Sequence, residues 1–292
     1  MKLYIFFIVL ICVGVTGLKA QDEIYYYAAN YRPVDDIEKA IHIKEVFHRS
    51  DRVHIVKSFS RDQDQWEPVG RRKIIDRKKG YQLIKIRSLL FFSDKVQRYY
   101  NLLPGGDFHF REVKEGQELR NGTAKKLIPL TLEGKLTEYY PNGNLKSIAW
   151  YENNQLVRNE NWLRDGTEYI DNFFYSVDKE PEYKPGFGMF RNFILANLKS
   201  SGYDITKVDE KIVLGWVIME DGNIAGVHRV EGKLKKLSEI LINIVENLPG
   251  TWSPAKLGGE NVRYYMTIPF NFRQDFESFD TIELNDGYLI WD

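Results

Sequence analysis

The chain has almost no cysteine: its single thiol, Cys12, lies in an apolar run near the N-terminus. A chain processed beyond that point has none, which excludes a disulfide framework, a thiolate metal site and a cysteine nucleophile. It also lacks an excess of either charge, since lysine and arginine together number 41, as do aspartate and glutamate. With no basic stretch long enough to track phosphates, no nucleic-acid partner is expected. The metalloprotease H-E-x-x-H, the hydrolase G-x-S-x-G and a phosphate-cradling glycine loop with lysine are all missing. No catalytic residue, cofactor or metal ligand is therefore assigned. His42, His48 and His54 are spaced by six and six, which suits neither i, i+4 ligation nor a compact loop site, so they are read as surface or half-buried histidines. Asp35-Asp36 and Glu220-Asp221 sit in turn-like contexts as solvated charges. His228 alternates within a strand and is read as structural.

Long apolar runs are missing except for one. After Lys2 come sixteen uncharged residues, LYIFFIVLICVGVTGL, and then Lys19-Ala20-Gln21-Asp22. That order of charge, apolar core and small residue is a secretory signal peptide, cut after Ala20 or after Gly17. Cleavage puts the protein in the periplasm or cell envelope; a retained leader makes it an inner-membrane anchor. Val9-Leu10-Ile11 before Cys12 lacks the small residue that lipid attachment prefers.

Aromatic residues, in contrast, are plentiful at 14%, led by tyrosine and phenylalanine, which favours β structure. Residues 21–60 form a polar, tyrosine-rich N-terminal segment. From Val53, at the end of that segment, to about residue 172, short apolar or aromatic runs such as RVHIVKSFS, YQLIKIRSLLFF, KVQRYYNLL, KKLIPLTL and LKSIAWY alternate with breaks. The breaks fall at Gly80, Pro104-Gly105-Gly106, Asn121-Gly122, Asn142-Gly143 and Asp165-Gly166, so an antiparallel meander is expected over 61–172. Residues 173–185, with charges and prolines, read as a linker.

The stretch from Glu180 to Phe272 reads as one small α/β module. Ile212, Leu214, Trp216 and Ile218 share one strand face, and Glu220-Asp221-Gly222-Asn223 supplies the turn of a hairpin. Helix-period stripes flank it: Phe190, Phe193, Ile194 and Leu198 before, and Leu237, Ile240, Leu241, Ile244, Val245 and Leu248 after, with Pro249-Gly250 as a stop. Val262 to Phe272 is a final strand, its Pro269 suited to a strand edge. The last twenty residues carry Asn285-Asp286-Gly287 between apolar residues, a possible terminal hairpin.

Two resemblances follow. Pro181, Tyr183, Asn197, Leu198, Asp221, Gly222, Trp252, Pro254, Gly258 and Pro269, in that order, resemble the C-terminal domain of the TonB family of periplasmic energy transducers, over about residues 181–272. Tyr139, Tyr140, Asn142, Gly143, Lys146, Tyr151 and Asn153, with a weaker copy at Trp162, Asp165 and Gly166, resemble hairpin repeats of the MORN type in their bacterial variant, over about 133–172. Together they imply an α+β fold: an antiparallel β-rich meander with MORN-like hairpins, then a TonB-like domain at 186–272 with a three-stranded antiparallel sheet and two helices. The TonB resemblance also implies a partner. An outer-membrane transporter or other envelope protein would add an extended strand to the edge of the terminal strand, using Trp252, Pro254, Val262, Tyr264, Tyr265, Thr267 and Pro269. The long proline-rich spacer of TonB transducers is missing, so binding is expected and transduction is not. A non-transducing envelope scaffold is the alternative, and exposed edges admit a homodimer.

Overall fold

A computed structural model describes residues 22–62, 65–78, 80–87 and 93–272. The leader with Cys12, the tail after Phe272 with its expected hairpin, and the LLFF end of the second expected strand lie outside the described residues.

Twelve strands form one antiparallel sheet. In chain order they are β1 (Glu23–Tyr27), β2 (Pro33–Val34), β3 (His42–Ser50), β4 (Val53–Asp62), β5 (Gln65–Arg77), β6 (Tyr81–Arg87), β7 (Ser93–Leu102), β8 (Phe108–Lys114), β9 (Gln117–Leu127), β10 (Leu130–Tyr139), β11 (Leu145–Glu152) and β12 (Gln155–Asn161). From β3 onward each strand pairs with the next, and β1 lies between β3 and β2 at the far edge. The remaining elements are β13 (Phe173–Phe174), β14 (Glu182–Tyr183), α1 (Phe187–Ser200), β15 (Glu210–Ile218), β16 (Ile224–Glu231), α2 (Lys235–Glu246), β17 (Trp252–Ser253), β18 (Ala255–Leu257) and β19 (Glu260–Phe272). They build a second sheet in the order β13-β19-β15-β16, with β18 also on β19, and a small β14-β17 pair.

The expected α+β division is overturned. Of the described residues 58% are strand and 14% helix, and one twelve-stranded sheet replaces a short hairpin region before a small TonB-like domain. The second sheet has five strands, not three, because β13 and β18 join it; residues 173–185, expected as a linker, supply β13 and also β14, which pairs with β17. The polar segment 21–60 supplies β1, β2, β3 and most of β4. Its end, RVHIVKSFS, was expected as a strand and is β4; β3 was not, because an inward position there is polar, Lys44 being buried beside Val46. Asn121-Gly122 is no break either, for it lies within β9. A side chain at Gly122 would meet Lys135 O at 2.7 Å on the adjacent strand, so glycine there permits close approach.

The turns are written plainly in the sequence. Four connections, 103–107, 140–144, 163–167 and 219–223, share one pattern, in which the first N–H donates to the fifth carbonyl and the fourth N–H donates back to the first. Tyr140 N–H to Asn144 O and Met219 N–H to Asn223 O are both 2.8 Å. The fourth residue has positive φ, 87° at Gly143 and 85° at Gly222, which explains the glycine. Asn142, Asp165 and Asp221 brace three of these turns by accepting from the N–H two residues on.

On the buried face of the large sheet, one cross-strand row runs Asp76, Gln82, Arg98, Glu112, Arg120, Glu138, Ser147, Asn161 across β5 to β12. Apolar rows flank it: Ile74, Ile84 and Val96 on one side, Tyr100, Phe110, Leu136 and Ala149 on the other. Glu112 accepts from Arg98 Nε at 2.7 Å and Arg120 Nε at 2.8 Å, and Arg98 Nη1 donates to Gln82 Oε1 and to Leu127 O. Burial pushes the Glu112 carboxyl up, but the guanidiniums of Arg120 and Arg98 outweigh it and hold the group at about 2.

The sheet bends until its ends meet. After β1, the Asn30 side chain donates to Leu156 O at 2.8 Å and accepts from Leu156 N–H, taking the place of a strand partner for β12. Asn154 likewise joins Leu132 and Tyr31. Among the described residues no helix is long and apolar enough to cross a membrane.

Candidate functional site

The C-terminal sheet positions every residue assigned to partner binding. Alternation sends Ile212, Leu214, Trp216 and Ile218 of β15, with Ile268, Phe270 and Phe272 of β19, to one face. Phe190, Ile194 and Leu198 of α1 and Leu237, Leu241, Ile244 and Val245 of α2 cover that face. Each large side chain buried this way contributes roughly 1.5–3 kcal/mol. Trp216 is fully buried, and its indole N–H has no hydrogen-bond partner among the described residues.

Trp252 is also core. It is 6% exposed, packs against Tyr183 and Phe190, and its backbone N–H donates to Gly222 O at 2.9 Å, tying β17 to the β15-β16 turn. A side chain on Gly222 would run into the Trp252 carbonyl, so this turn and Trp252 specify one another. Pro254 follows, half-buried, between β17 and β18. Val262 pairs with Ala255 of β18, and Tyr264, 4% exposed, pairs in parallel with Phe174 of β13. The N-terminal part of β19 is thus not an edge. Pro269 is buried and Thr267 half-buried.

Tyr265 faces the opposite way, into a junction between the two sheets. Its ring stacks on Phe173 with centroids 5.1 Å apart and meets Tyr175 and Tyr169 edge-on. It also leans over Gly215, where any side chain would collide with its hydroxyl. Burial raises the phenols of Tyr169, Tyr175 and Tyr265 above their ordinary values, so all three stay neutral. His228 completes the cluster, with Nδ1 3.0 Å from Gly226 O and Nε2 3.3 Å from the Tyr265 hydroxyl. Those partners define a neutral ring that donates through Nδ1 and accepts at Nε2. Burial lowers its pKa, in part offset by the Gly226 carbonyl.

The segment before β13 locks this junction to the large sheet. Tyr169 N–H and Asn172 N–H donate to Asn161 O and Asn159 O on the outer edge of β12. Asn159 Nδ2 donates to Phe173 O at 2.7 Å, and Arg263 Nη1 of β19 reaches Asp171 O at 3.0 Å. One short segment therefore serves both sheets.

Two stretches of edge remain. The outer side of β16 carries a bulge at Gly226, whose φ is 65°, and the Tyr169 hydroxyl occupies the Gly226 carbonyl, so that edge is blunted. The outer side of β19 from Tyr265 to Asn271 has a ladder only with β15 among the described residues.

Composition and spacing missed the histidine pair. His48 and His54 are cross-strand neighbours on β3 and β4, their Nδ1 atoms 2.7 Å apart, with Glu23 3.5 Å from His48 Nε2 and Asp76 3.1 Å from His54 Nε2. A spacing of six across Asp51-Arg52 is what a hairpin turn makes adjacent, and that was the available signal. His42 stands apart, between Ser60 and Ser176. Among the described residues no group of three or more histidine, cysteine, aspartate or glutamate side chains is arranged to hold a metal ion. No protein-family model matches the chain, and neither a curated protein nor a solved structure matches it.

Proposed function

We propose that the chain is a non-enzymatic binding protein of the cell envelope that accepts an extended segment of a partner, such as an outer-membrane transporter, as an added strand on the outer side of β19. The observation that carries this reading is the one-sided pairing of Tyr265 to Asn271, seven residues with a ladder to β15 alone among the described residues. Seven residues are longer than a typical strand, and backbone groups at an edge gain little from water that a peptide strand cannot replace. On this reading Tyr264, Tyr265, Trp252 and Val262 hold the edge in place, and contact with the partner falls to the segment around Thr267 and Pro269.

A scaffold without a peptide ligand is the second reading. It is favoured by the aromatic junction, which fastens the two sheets through Phe173, Tyr175 and Tyr265. The test is fluorescence anisotropy with labelled N-terminal peptides of outer-membrane transporters, run on the full chain and on a chain ended after Phe272. Saturable binding, with slowed amide exchange between 265 and 272, is expected. Failure of both chains to bind, with exchange unchanged, would leave the scaffold.

A further inference from the structure

We infer that the outward face of β4, β5, β6 and β7 is a docking surface for an anionic lipid bilayer, separate from the β19 edge. The inference rests on strand register. Lys57, Arg71 and Arg87 stand opposite one another across β4, β5 and β6, and Lys73, Lys85 and Lys95 do so across β5, β6 and β7. These two rows are adjacent on one face, because Arg72 and Ile86 between them, and Ile74, Ile84 and Val96 beyond the second row, alternate to the other face. Strands lie about 4.8 Å apart and alternate residues about 6.7 Å apart along a strand, so six cations crowd a small area.

Like charges directly opposite each other destabilise a sheet, and a fold gains nothing internally from this arrangement. Of the six, Lys57 has an ion pair among the described residues, with Glu45 at 3.9 Å. The other five, Arg71, Lys73, Lys85, Arg87 and Lys95, have no ion pair or hydrogen bond from their side chains among the described residues. Arg71, Lys73, Arg87 and Lys95 are exposed, and Lys85 half-buried. The chain as a whole is neutral, so the face is a local concentration of charge, not a reflection of composition.

A bilayer fits better than a nucleic acid. Beside the cations, on the same face, half-buried Ile55, Ile75 and Leu83 form an apolar margin, with Tyr81 and Tyr99 beyond it. Membrane surfaces accept that combination of charge, apolar margin and aromatic rim. Single-stranded nucleic acid calls for aromatic platforms interleaved with the charges, whereas the ring against these rows, Phe47 on β3, lies under Lys57 at their margin. Four of the six cations are lysines, point charges suited to a diffuse anionic surface, where bidentate phosphate clamps favour arginine.

The experiment is co-sedimentation of the full chain with phosphatidylcholine vesicles, with and without a one-third share of phosphatidylglycerol. The wild type is expected to partition onto the anionic vesicles only, and to be released by salt. In the triple variant Lys73→Gln, Lys85→Gln, Lys95→Gln, partitioning is expected to fall about a hundredfold, since each cation near such a surface is worth about fivefold. Its melting temperature should be equal or higher, because the variant relieves like-charge repulsion, so loss of binding cannot be ascribed to unfolding. A control, Lys207→Gln with Lys256→Gln, should bind as wild type. Equal binding to neutral vesicles, no binding to anionic ones, or an unchanged triple variant would overturn the inference. So would a single-stranded oligonucleotide that binds this face more tightly than the vesicles do.

Discussion

The two sheets bury their interiors by opposite means. The C-terminal sheet packs Trp216, Leu214, Phe270 and both helices into a wholly apolar layer, and tolerates an indole N–H with no partner among the described residues. The large sheet places a row of charged and amide side chains between apolar rows, with Arg98, Glu112 and Arg120 each at most 4% exposed. Within that row Arg98, Glu112 and Arg120 meet on successive strands, because register aligns them. At Glu112 the ladder itself supplies the counterions, whereas dispersion and area hold the second sheet.

The sharpest way to break this comparison is to remove the central carboxylate. Glu112→Ala leaves two buried guanidiniums facing each other and is expected to cost about 3–5 kcal/mol in urea unfolding. Replacing Arg98, Glu112 and Arg120 together by methionine and leucine of similar volume should cost far less, since no charge is then stranded. Leu214→Ala in the second sheet removes area and leaves a cavity, at about 2–5 kcal/mol. Unlike the loss at Glu112, that loss should be the same at pH 3 and pH 7.

Asn30→Ala comes next. It deprives Leu156 of a donor and an acceptor where the ends of the large sheet meet, and about 1–3 kcal/mol is expected from the unpaired backbone groups. Amide exchange should then quicken at Leu156 and on β12 first, while β15 and β19 stay protected.

Sequence alone exposed these regions unequally. The β15-β16 hairpin and its Asp221-Gly222 turn were legible because apolar alternation and a φ-permissive glycine agree there. Strand β3 in the tyrosine-rich segment was not, since inward Lys44 breaks the alternation that marks a half-buried strand. The row through Glu112 was hidden for the same reason, as a charge at an inward position looks like one at an outward position until pairing is known. The edge on β19 was legible in type but not in extent. Nothing in the linker announces that Phe173-Phe174 pairs with Arg263-Tyr264, for two residues carry no period. Residues from four strands form the basic face, and only register assembles them.

The smallest effect distinguishes the two regions by pH. In the large sheet, Glu112 is held at about 2, below the ordinary carboxylate value of 4.5. Its contribution is therefore complete above 4.5 and is lost as pH falls toward 2. At the junction, His228 is depressed below the ordinary 6.5 by burial, so the unfolded chain takes up a proton first. The stability it contributes is complete above 6.5 and declines as pH falls from there to its lower folded value. Protonation at Nε2 would also set a second donor against the Tyr265 hydroxyl, which must then turn away. One half-buried ring carries this effect, so it is the least of the four. Melting temperatures of the wild type and His228→Gln, measured from pH 8 to pH 3, should show it. The difference between them should change between pH 7 and the folded histidine value and stay flat below it, while both keep the acid limb that belongs to Glu112. A difference curve that is flat throughout would mean that the junction does not discriminate between the two forms of the ring.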